Sequence, residues 1–257
     1  MRLAGWGVRF VFAILAGLPA VLMVPVRADR VADVRYIHIE AMGGRARVEA
    51  LSAMRAVGHV VTGGKRVRFH LLAARPNRVR IETEAGGRTL IQVSDGVAPP
   101  WEYDTGTWPP KYRELSPGVA KTLAANAEFD DPLIAGEARG FVLDFAGEVQ
   151  VEGRKLLRLL VTRRLTETFR LYVDARTYLI AIRTETRASA TGRPLDIVTR
   201  YRDFRPVRGV LLPYEILVTI DGRFSQQTKI DRIEPNPPIT PETFSRPPSN
   251  RAEVIPE

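Results

Sequence analysis

The fold is decided by a stretch near the start of the chain, residues 55–71, which read RAVGHVVTGGKRVRFHL. The adjacent glycines Gly63 and Gly64 stand where a two-residue hairpin loop requires positive φ, so the flanking residues predict two antiparallel strands. Placing Thr62 opposite Lys65 fixes the register of the hairpin. On one side, that register pairs Val60 with Val67, Gly58 with Phe69 and Ala56 with Leu71.

The other side of this hairpin is basic. It carries Arg55, His59, Arg66, Arg68 and His70. A hairpin that is apolar on one side and charged on the other is typical of an antiparallel sheet with one face on a core and one in water. We therefore expect Arg66, Arg68 and His70 to face solvent.

The same alternation continues along most of the chain. Apolar residues alternate before and after a second glycine turn at 86–87, and again at 141–145. Further strands are predicted at residues 154–164, 168–174, 178–187, 195–204, 211–220 and 226–234. Because short turns join these strands and no βαβ spacing occurs, the pattern indicates a mainly β protein with one meandering antiparallel sheet.

An opening helical segment precedes the sheet. Between Asp29 and about Leu51, apolar residues recur three or four positions apart, which is the spacing of an amphipathic helix. The stripe consists of Val31, Val34, Ile37 and Ala41. Gly43 and Gly44 stop this helix, and the residues after them offer a second short turn.

A second helix interrupts the strands. Ser116 suits the N-cap and Pro117 the first position of a helix that runs to about Glu128. Its apolar side is predicted to carry Leu115, Val119 and Leu123. We expect that side to pack on the concave side of the sheet.

The first 28 residues have the pattern of an export signal. Arg2 and Arg9 supply a positive start, residues 10–26 are mostly apolar, and Ala28 ends a segment of the kind that a signal peptidase reads. We expect cleavage after Ala28 and a soluble periplasmic protein. The alternative is a retained membrane anchor, but prolines interrupt the apolar run, which falls short of the roughly 20 residues that span a bilayer.

Composition narrows the possible functions. The chain has no cysteine, so disulfides, cysteine ligands and a lipidated cysteine of its own are excluded. The formal charge is +9, and three of the positive residues, Arg2, Arg9 and Arg27, leave with the signal. A basic chain can bind nucleic acid or an anionic membrane surface, but the export signal argues against nucleic acid. A soluble surface rich in arginine is the simplest interpretation.

Between residues 75 and 104 the sequence resembles the LolA family of periplasmic lipoprotein carriers. An Arg-Pro-Asn turn at 75–77, a Ser-Asp-Gly turn at 94–96 and a Trp-x-Tyr-Asp strand at 101–104 occur in the family's order. Similarity continues at Tyr172-Val173-Asp174 and at the Phe-Ser-Arg-Pro-Pro of 244–248. Two departures are Val79, where the family often has an aromatic residue, and a longer loop before Trp101. The resemblance implies a lipid-binding domain over residues 29–248 and a loose tail at 249–257.

The resemblance implies a curved, incomplete antiparallel barrel whose helices cover a concave apolar face. That face would receive acyl chains of lipoproteins or other lipids, and a monomer would exchange them with an inner-membrane releasing complex and an outer-membrane acceptor. Arg75 corresponds to the arginine that latches the helical lid in the family. The lipid cavity is then predicted to be lined by Phe69, Leu71, Val79, Ile81, Ile91, Val93, Trp101, Phe141, Leu143 and Phe145.

The main alternative is a regulator. A related architecture serves as a periplasmic stress sensor that responds to lipoproteins and binds an anti-sigma partner. Such regulators usually carry a second, smaller β domain. The predicted strands of this chain all fit a single sheet. This pattern favours the carrier over the regulator.

Catalysis and metal binding have little support. His59 and His70 lie diagonally on the basic side of the first hairpin without a third ligand, and His38 has no visible partner. The acidic pairs at 82–84 and 130–131 fit a solvent-facing strand and a helix exit. No nucleophile elbow, phosphate-binding glycine loop or zinc-protease helix occurs. We expect no enzyme activity, no metal or other cofactor, and no nucleic-acid partner.

Overall fold

The computed structural model describes residues 27–107, 111–163, 167–189 and 191–246, and within them thirteen strands form one antiparallel sheet. The strands are β1 (Ala53–Thr62), β2 (Lys65–Ala74), β3 (Arg78–Ala85), β4 (Arg88–Ser94), β5 (Trp101–Asp104), β6 (Lys111–Glu114), β7 (Phe141–Val151), β8 (Arg154–Arg163), β9 (Glu167–Asp174), β10 (Ile180–Ala188), β11 (Pro194–Val207), β12 (Val210–Ile220) and β13 (Arg223–Pro235). The α-helices are α1 (Arg27–Ala41), α2 (Arg45–Ala50), α3 (Pro117–Asn126) and α4 (Pro132–Ala135). Short 3-10 helices lie at Glu137–Arg139 and Pro241–Thr243.

The strand order shows how the sheet is built. Strands β1–β6 and β7–β13 each form a meander, and the two meanders join where β1 pairs with β13. Strands β6 and β7 are therefore the two edges, and the sheet is open. The predicted mainly β, incomplete antiparallel barrel is confirmed. The chain passes from one edge to the other through α3 and α4.

The first hairpin has the predicted register. The pairs are Thr62 with Lys65, Val60 with Val67, Gly58 with Phe69 and Ala56 with Leu71. Gly63 and Gly64 have φ angles of 53° and 73°, the left-handed values that this turn requires. Gly58 is needed for a different reason, because a Cβ there would lie 2.2 Å from the Lys229 carbonyl oxygen and 3.0 Å from the Phe69 ring. Only glycine allows β13 and Phe69 to approach so closely.

Helices cover the two flanks of the concave face. Helix α1 packs over β7, where Val34 joins a core with Phe141 and Leu159. Helix α3 packs over β4 and the neighbouring β3, burying Leu123 against Val79. The core is therefore divided between the two ends of the sheet.

Both predicted helical segments are present, with local differences in what they bury. The opening segment divides at Gly43 and Gly44 into α1 and α2, and its Ile37, predicted in the apolar stripe, is 37% exposed. In α3, Leu123 is buried, but the prediction that Val119 packs beside it is wrong, since Val119 is 45% exposed. The first turn of α3 stands away from the sheet, so the burial of α3 begins further along the helix.

The face opposite the helices carries a second core, formed with the C-terminal segment. Residues Ile91, Val93, Trp101 and Tyr103 pack there with Phe244 and the half-buried Ile239. The prediction that Ile91, Val93 and Trp101 line the concave face with Ile81 is therefore wrong. In the β3–β4 hairpin, Ile91 pairs with Glu82 and Ile81 pairs with Gln92, which places Ile91 on the other side.

The ends of the chain limit what can be compared with the predictions. Residues 1–26, most of the predicted export signal, lie outside the described residues, as does the predicted tail at 249–257. In the part of the chain that is described, no helix is both long enough and apolar enough to cross a membrane.

Candidate functional site

The middle of the concave face is apolar and partly open. Six β-branched side chains form it and are called the central floor: Val60, Val67, Ile197, Ile216, Val218 and Ile220. All six are half-buried. Helix α1 packs on β7, and the apolar side of α3 packs on β2 to β4, so the apolar contacts of these helices lie on the flanks of the sheet.

Strand register places the central floor in two apolar groups on either side of β13, which contributes Thr228 and Gln226 between them. Val60 pairs with Val67 on one side and with Thr228 on the other, and Thr228 pairs with Ile216. The alternation along β12 and its pairing with β11 bring the remaining three side chains to the same face. Because β-branched side chains have few rotamers to lose, an apolar ligand can cover this surface at a small cost in side-chain entropy.

A row of ion pairs borders the floor on β10. Glu185 binds Arg183 at 2.9 Å and Arg187 at 2.6 Å. The Arg183 guanidinium also lies 4.0 Å from the centre of the Phe169 ring. Glu185 pairs with Ile197 in the register of β10 and β11, so this charged row lies directly beside the central floor.

A second charged row lies on β4–β6, on the same face. Glu102 forms an ion pair with Arg113 and accepts a hydrogen bond of 3.0 Å from Gln92. Asp104 pairs with Arg88, and the hydrogen bond from Arg88 holds the pKa of the Asp104 carboxyl below its usual value. Both carboxylates are buried. The central floor therefore lies between two charged rows.

Helix α3 bridges the two flanks and is the lid of this face. On one side, its Leu123 packs into the core of β2 and β3. On the other side, Thr122 accepts a 3.1 Å hydrogen bond from Arg187, and the Lys121 ammonium lies 2.9 Å from the Glu167 carboxylate. Exposed ion pairs of this kind contribute little energy, so the polar side of the lid can separate at low cost.

Arg75, at the turn after β2, joins three parts of the molecule. Its guanidinium donates to the carbonyl oxygens of Val48 at 2.8 Å and Glu49 at 2.9 Å, both in the last turn of α2. It also donates to Asp130, at 2.6 and 3.1 Å, in the segment between α3 and α4. The guanidinium lies 5.2 Å from the centre of the Phe129 ring. The resemblance implied that Arg75 latches the lid helix, whereas the helix whose carbonyls it contacts is α2.

A second clamp, which the sequence analysis missed, holds the neighbouring aspartate. His38 on α1 is 1% exposed, and its Nδ1 lies 2.7 Å from the Tyr178 carbonyl oxygen while its Nε2 lies 3.0 Å from Asp131. Asp131 also caps α4 by accepting from the backbone N–H groups of Leu133 and Ile134. Two acceptors flank the ring, so the doubly protonated imidazolium satisfies both.

The charges of this clamp support each other. Burial opposes the charged form of His38, but the Asp131 carboxylate and the Tyr178 carbonyl raise its pKa above the ordinary value. Burial likewise opposes the charged form of Asp131, but His38 and the N–H groups of α4 lower the pKa of its carboxyl. A signal for this contact was available, because His38 follows the buried Val34 by four residues on the same helical face.

A cavity of about 200 Å³ lies beside the Arg75 contacts. Its walls are Ile39, Arg45, Val48, Glu49, Arg75, Asp130, Ile134, Ala135 and Arg139. The cavity lies among α1, α2 and the segment around α4, away from the central floor. It leaves room for Arg75 and Asp130 to separate without displacing a close-packed core.

The predicted cavity residues that lie on the concave face differ in burial. On the concave face lie Phe69, Leu71, Val79, Ile81, Phe141, Leu143 and Phe145. Phe69, Val79 and Phe141 are fully buried among their neighbours, so they support the face rather than line open space. Val60 and Val67 were predicted to lie on the apolar side of the first hairpin. The floor residues of β11 and β12 were not predicted as part of the lipid cavity. The run of apolar residues at 210–220 has no clear alternation to show which face each residue takes.

The other polar residues that the sequence singled out lie in ordinary contacts. Arg66 contacts His59 at 3.1 Å, and His70 lies 4.0 Å from Glu84, on the basic face of the first hairpin. Arg66 and Arg68 are exposed, as predicted. Glu82 forms an ion pair of 2.6 Å with Arg80 of its own strand.

Comparison with known proteins rests on structure alone. No family model matches the sequence, and the search of curated proteins finds no match. Solved structures are similar over most of their length. The putative outer membrane lipoprotein-sorting protein domain of Vibrio parahaemolyticus has a TM-score of 0.58 at 9% identity, over 83% of this chain and 97% of that one.

Two further structures give the same result. A LolA superfamily protein of Nitrosomonas europaea has a TM-score of 0.54 at 14% identity, over 86% of this chain and 99% of that one. A DUF1329 family protein of Desulfovibrio piger has a TM-score of 0.56 at 11% identity, over 84% of this chain and 97% of that one. The chain therefore has a LolA-like fold.

Proposed function

We propose that this protein is a periplasmic carrier that binds acyl chains of lipoproteins, or other lipids, on its concave face and delivers them toward the outer membrane. The observation that supports this proposal most directly is the central floor, a set of partly buried apolar side chains in the middle of the sheet. A monomeric domain usually buries such side chains more completely in its own core, so apolar surface left accessible on this face suits a binding site.

The affinity expected for an acyl chain suits a transport protein. A buried methylene contributes about 0.8 kcal/mol, so an acyl chain that buries about ten of them gains roughly 8 kcal/mol. This energy corresponds to a dissociation constant in the micromolar range. Such binding is tight enough to carry a lipid through water and weak enough to release it to an acceptor.

The lid and the Arg75 contacts supply a way to release cargo. In the closed arrangement, Arg75 holds α2 and the segment between α3 and α4 together through charge-assisted hydrogen bonds. A lipid that enters over the floor must push the lid outward and strain these contacts. Closure of the lid then favours release, so the same contacts limit how tightly cargo is held.

The proposed setting follows from the export signal and the fold. Cleavage after Ala28 would leave the protein in the periplasm, where a releasing complex of the inner membrane would load it and an acceptor of the outer membrane would unload it. The sensing alternative has less support, because all thirteen strands of the described residues belong to one sheet and none forms a second β domain.

The test is binding of a fluorescent fatty acid by the purified mature protein. We expect micromolar binding that Val218→Asp weakens at least tenfold, because the substitution places a charge on the floor. The matched control is Thr219→Asp, since Thr219 pairs with Val198 on the opposite face. If Val218→Asp does not fold, Ile216→Trp fills the floor without adding charge and should also displace the probe. Equal affinity of the folded floor variants, the Thr219→Asp control and the unaltered protein would contradict the proposal.

A further inference from the structure

We propose that the protein docks on an anionic phospholipid bilayer through three adjacent hairpin tips at the open end of the concave face. These tips, residues 62–66, 191–196 and 220–224, are called the docking rim. They lie side by side because β1 pairs with β13 and β12 with β11. Contacts between tips join them, with Thr62 donating to the Ser225 carbonyl at 3.1 Å and Arg193 pairing with Asp221 at 2.9 Å. The proposal goes beyond the proposed lipid transport, because a carrier can also exchange lipid through protein partners without contacting a membrane.

The two ends of the concave face differ in how they are covered. At one end, Met42, Val48 and Leu51 of the α1–α2 segment pack against Val210 and its neighbours. At the other end, the contacts of α3 are polar, because Thr122 accepts from Arg187, which pairs with Leu195 of the docking rim, and Lys121 pairs with Glu167. Val67 and Ile220 of the central floor lie at this end and are half-buried. A lipid therefore reaches the floor most directly through the end that carries the docking rim, where the contacts of the lid are polar.

The docking rim carries more cations than carboxylates. It exposes Lys65, Arg66, Arg193 and Arg223, against the carboxylates of Asp196 and Asp221. Asp221 is engaged with Arg193, and Asp196 accepts a hydrogen bond from Thr186 at 2.9 Å. No described residue forms an ion pair with Lys65 or Arg223. Each cation held near an anionic membrane surface strengthens association by about fivefold, so this rim favours an anionic bilayer.

The rim also carries an exposed aromatic side chain. Phe224, two residues after the turn of the β12–β13 hairpin, pairs with Thr219 on the face opposite the central floor and is 55% exposed. An aromatic ring beside cations suits the interface of a bilayer, where the ring enters the headgroup region and the cations meet phosphate. Docking in this position places the open end of the floor against the membrane, so that an acyl chain passes between them without crossing water.

The test is cosedimentation of the mature protein with vesicles of phosphatidylglycerol and phosphatidylcholine, compared with pure phosphatidylcholine. We expect binding to the anionic vesicles that weakens as salt is raised. The triple variant Lys65→Glu, Arg66→Glu, Arg223→Glu should lose more than a hundredfold in vesicle affinity, because loss of three cations alone costs about a hundredfold. Its control reverses three exposed arginines at the covered end, Arg139, Arg176 and Arg208, which form no ion pair with a described residue.

A second pair of variants tests the aromatic contact. Phe224→Ser should weaken vesicle binding severalfold, whereas Val97→Ser, which alters a side chain 95% exposed in the loop between β4 and β5, should not. Equal losses in the two triple variants would mean that general basicity draws the protein to membranes and would overturn the proposal, as would absence of binding to anionic vesicles. Fatty-acid binding without vesicles should survive in every rim variant, which separates failure of docking from failure of carriage.

Discussion

At the scale of single residues, two adjacent aspartates explain how the lid segment is held. Asp130 binds Arg75, which reaches the end of α2, and Asp131 binds His38 on α1. The family resemblance implied that Arg75 latches a helix. The sequence could not indicate that the aspartates are the partners, because the ion-pair partners are separated by 55 and 93 residues along the chain.

The His38–Asp131 pair predicts a pH dependence of stability. The folded-state pKa of His38 is raised, so the contribution of the pair is complete below the ordinary value of 6.5 and is lost as pH rises through the raised value. The pKa of Asp131 is lowered, so the contribution is present above 3.8 and is lost as pH falls through the lowered value. Urea unfolding across this range should show a free energy of unfolding that declines on the alkaline side.

The variant His38→Gln should remove that decline and lower the free energy of unfolding near neutral pH by about 1.5–3 kcal/mol, the contribution of a hydrogen bond to a charged group. His59→Gln is the control, since His59 lies on the basic face of the first hairpin and contacts Arg66. The same pH profile in both variants and in the unaltered protein would show that the clamp does not stabilise the fold.

The Arg75 contacts predict a change in lipid affinity. Arg75→Leu removes bonds to the α2 carbonyls and to Asp130, and each charge-assisted bond contributes about 1.5–3 kcal/mol. The closed arrangement should lose stability by tenfold or more relative to the open one, so the variant should bind a fluorescent fatty acid more tightly and release it more slowly to acceptor vesicles. Arg68→Leu is the control, because Arg68 is exposed on the basic face of the first hairpin. Unchanged affinity and release in a folded Arg75→Leu protein would exclude Arg75 from the mechanism.

At the scale of elements, a hairpin register can be predicted when the turn residues are used to pair the two flanking strands. The turn at Gly63-Gly64 placed Val60 opposite Val67 correctly. The same rule applied to Gly86-Gly87 pairs Ala85 with Arg88 and Ile81 with Gln92, as observed. The placement of Ile91 was wrong because it assumed that the apolar residues before and after the turn lie on the same face of the sheet. Alternation shows that a strand has two faces, but only the pairing shows which faces meet.

The C-terminal segment offers a test of that corrected assignment. Phe244 is 2% exposed and packs with Trp101 and Val93 on the face opposite the lid. Phe244→Ala should lower the free energy of unfolding by about 3–5 kcal/mol, the usual cost of truncating a buried aromatic side chain. Fatty-acid affinity should not change, since no lipid contacts that face. Loss of probe binding in a folded Phe244→Ala protein would show that the Trp101 cluster belongs to the lipid site after all.

At the scale of the whole molecule, the decisive contact is the pairing of β1 with β13. This pairing brings Val60 beside Thr228 and Ile216, and so assembles the central floor from strands at both ends of the chain. Local pattern predicts the existence of the strands, the open meander and the covering helices. It carries no information about which distant strands pair, so the location of the open apolar surface could be read only from the structure.

The most direct measurement of the central claim is native mass spectrometry of the protein, purified without detergent from its native host. The protein should carry a heavier species whose excess mass corresponds to a lipid or lipoprotein. That species should disappear in Val218→Asp and persist in Thr219→Asp, because only the first substitution changes the central floor. A protein that carries no such species, or one that carries the same species in both variants, would contradict the claim that the floor holds acyl chains.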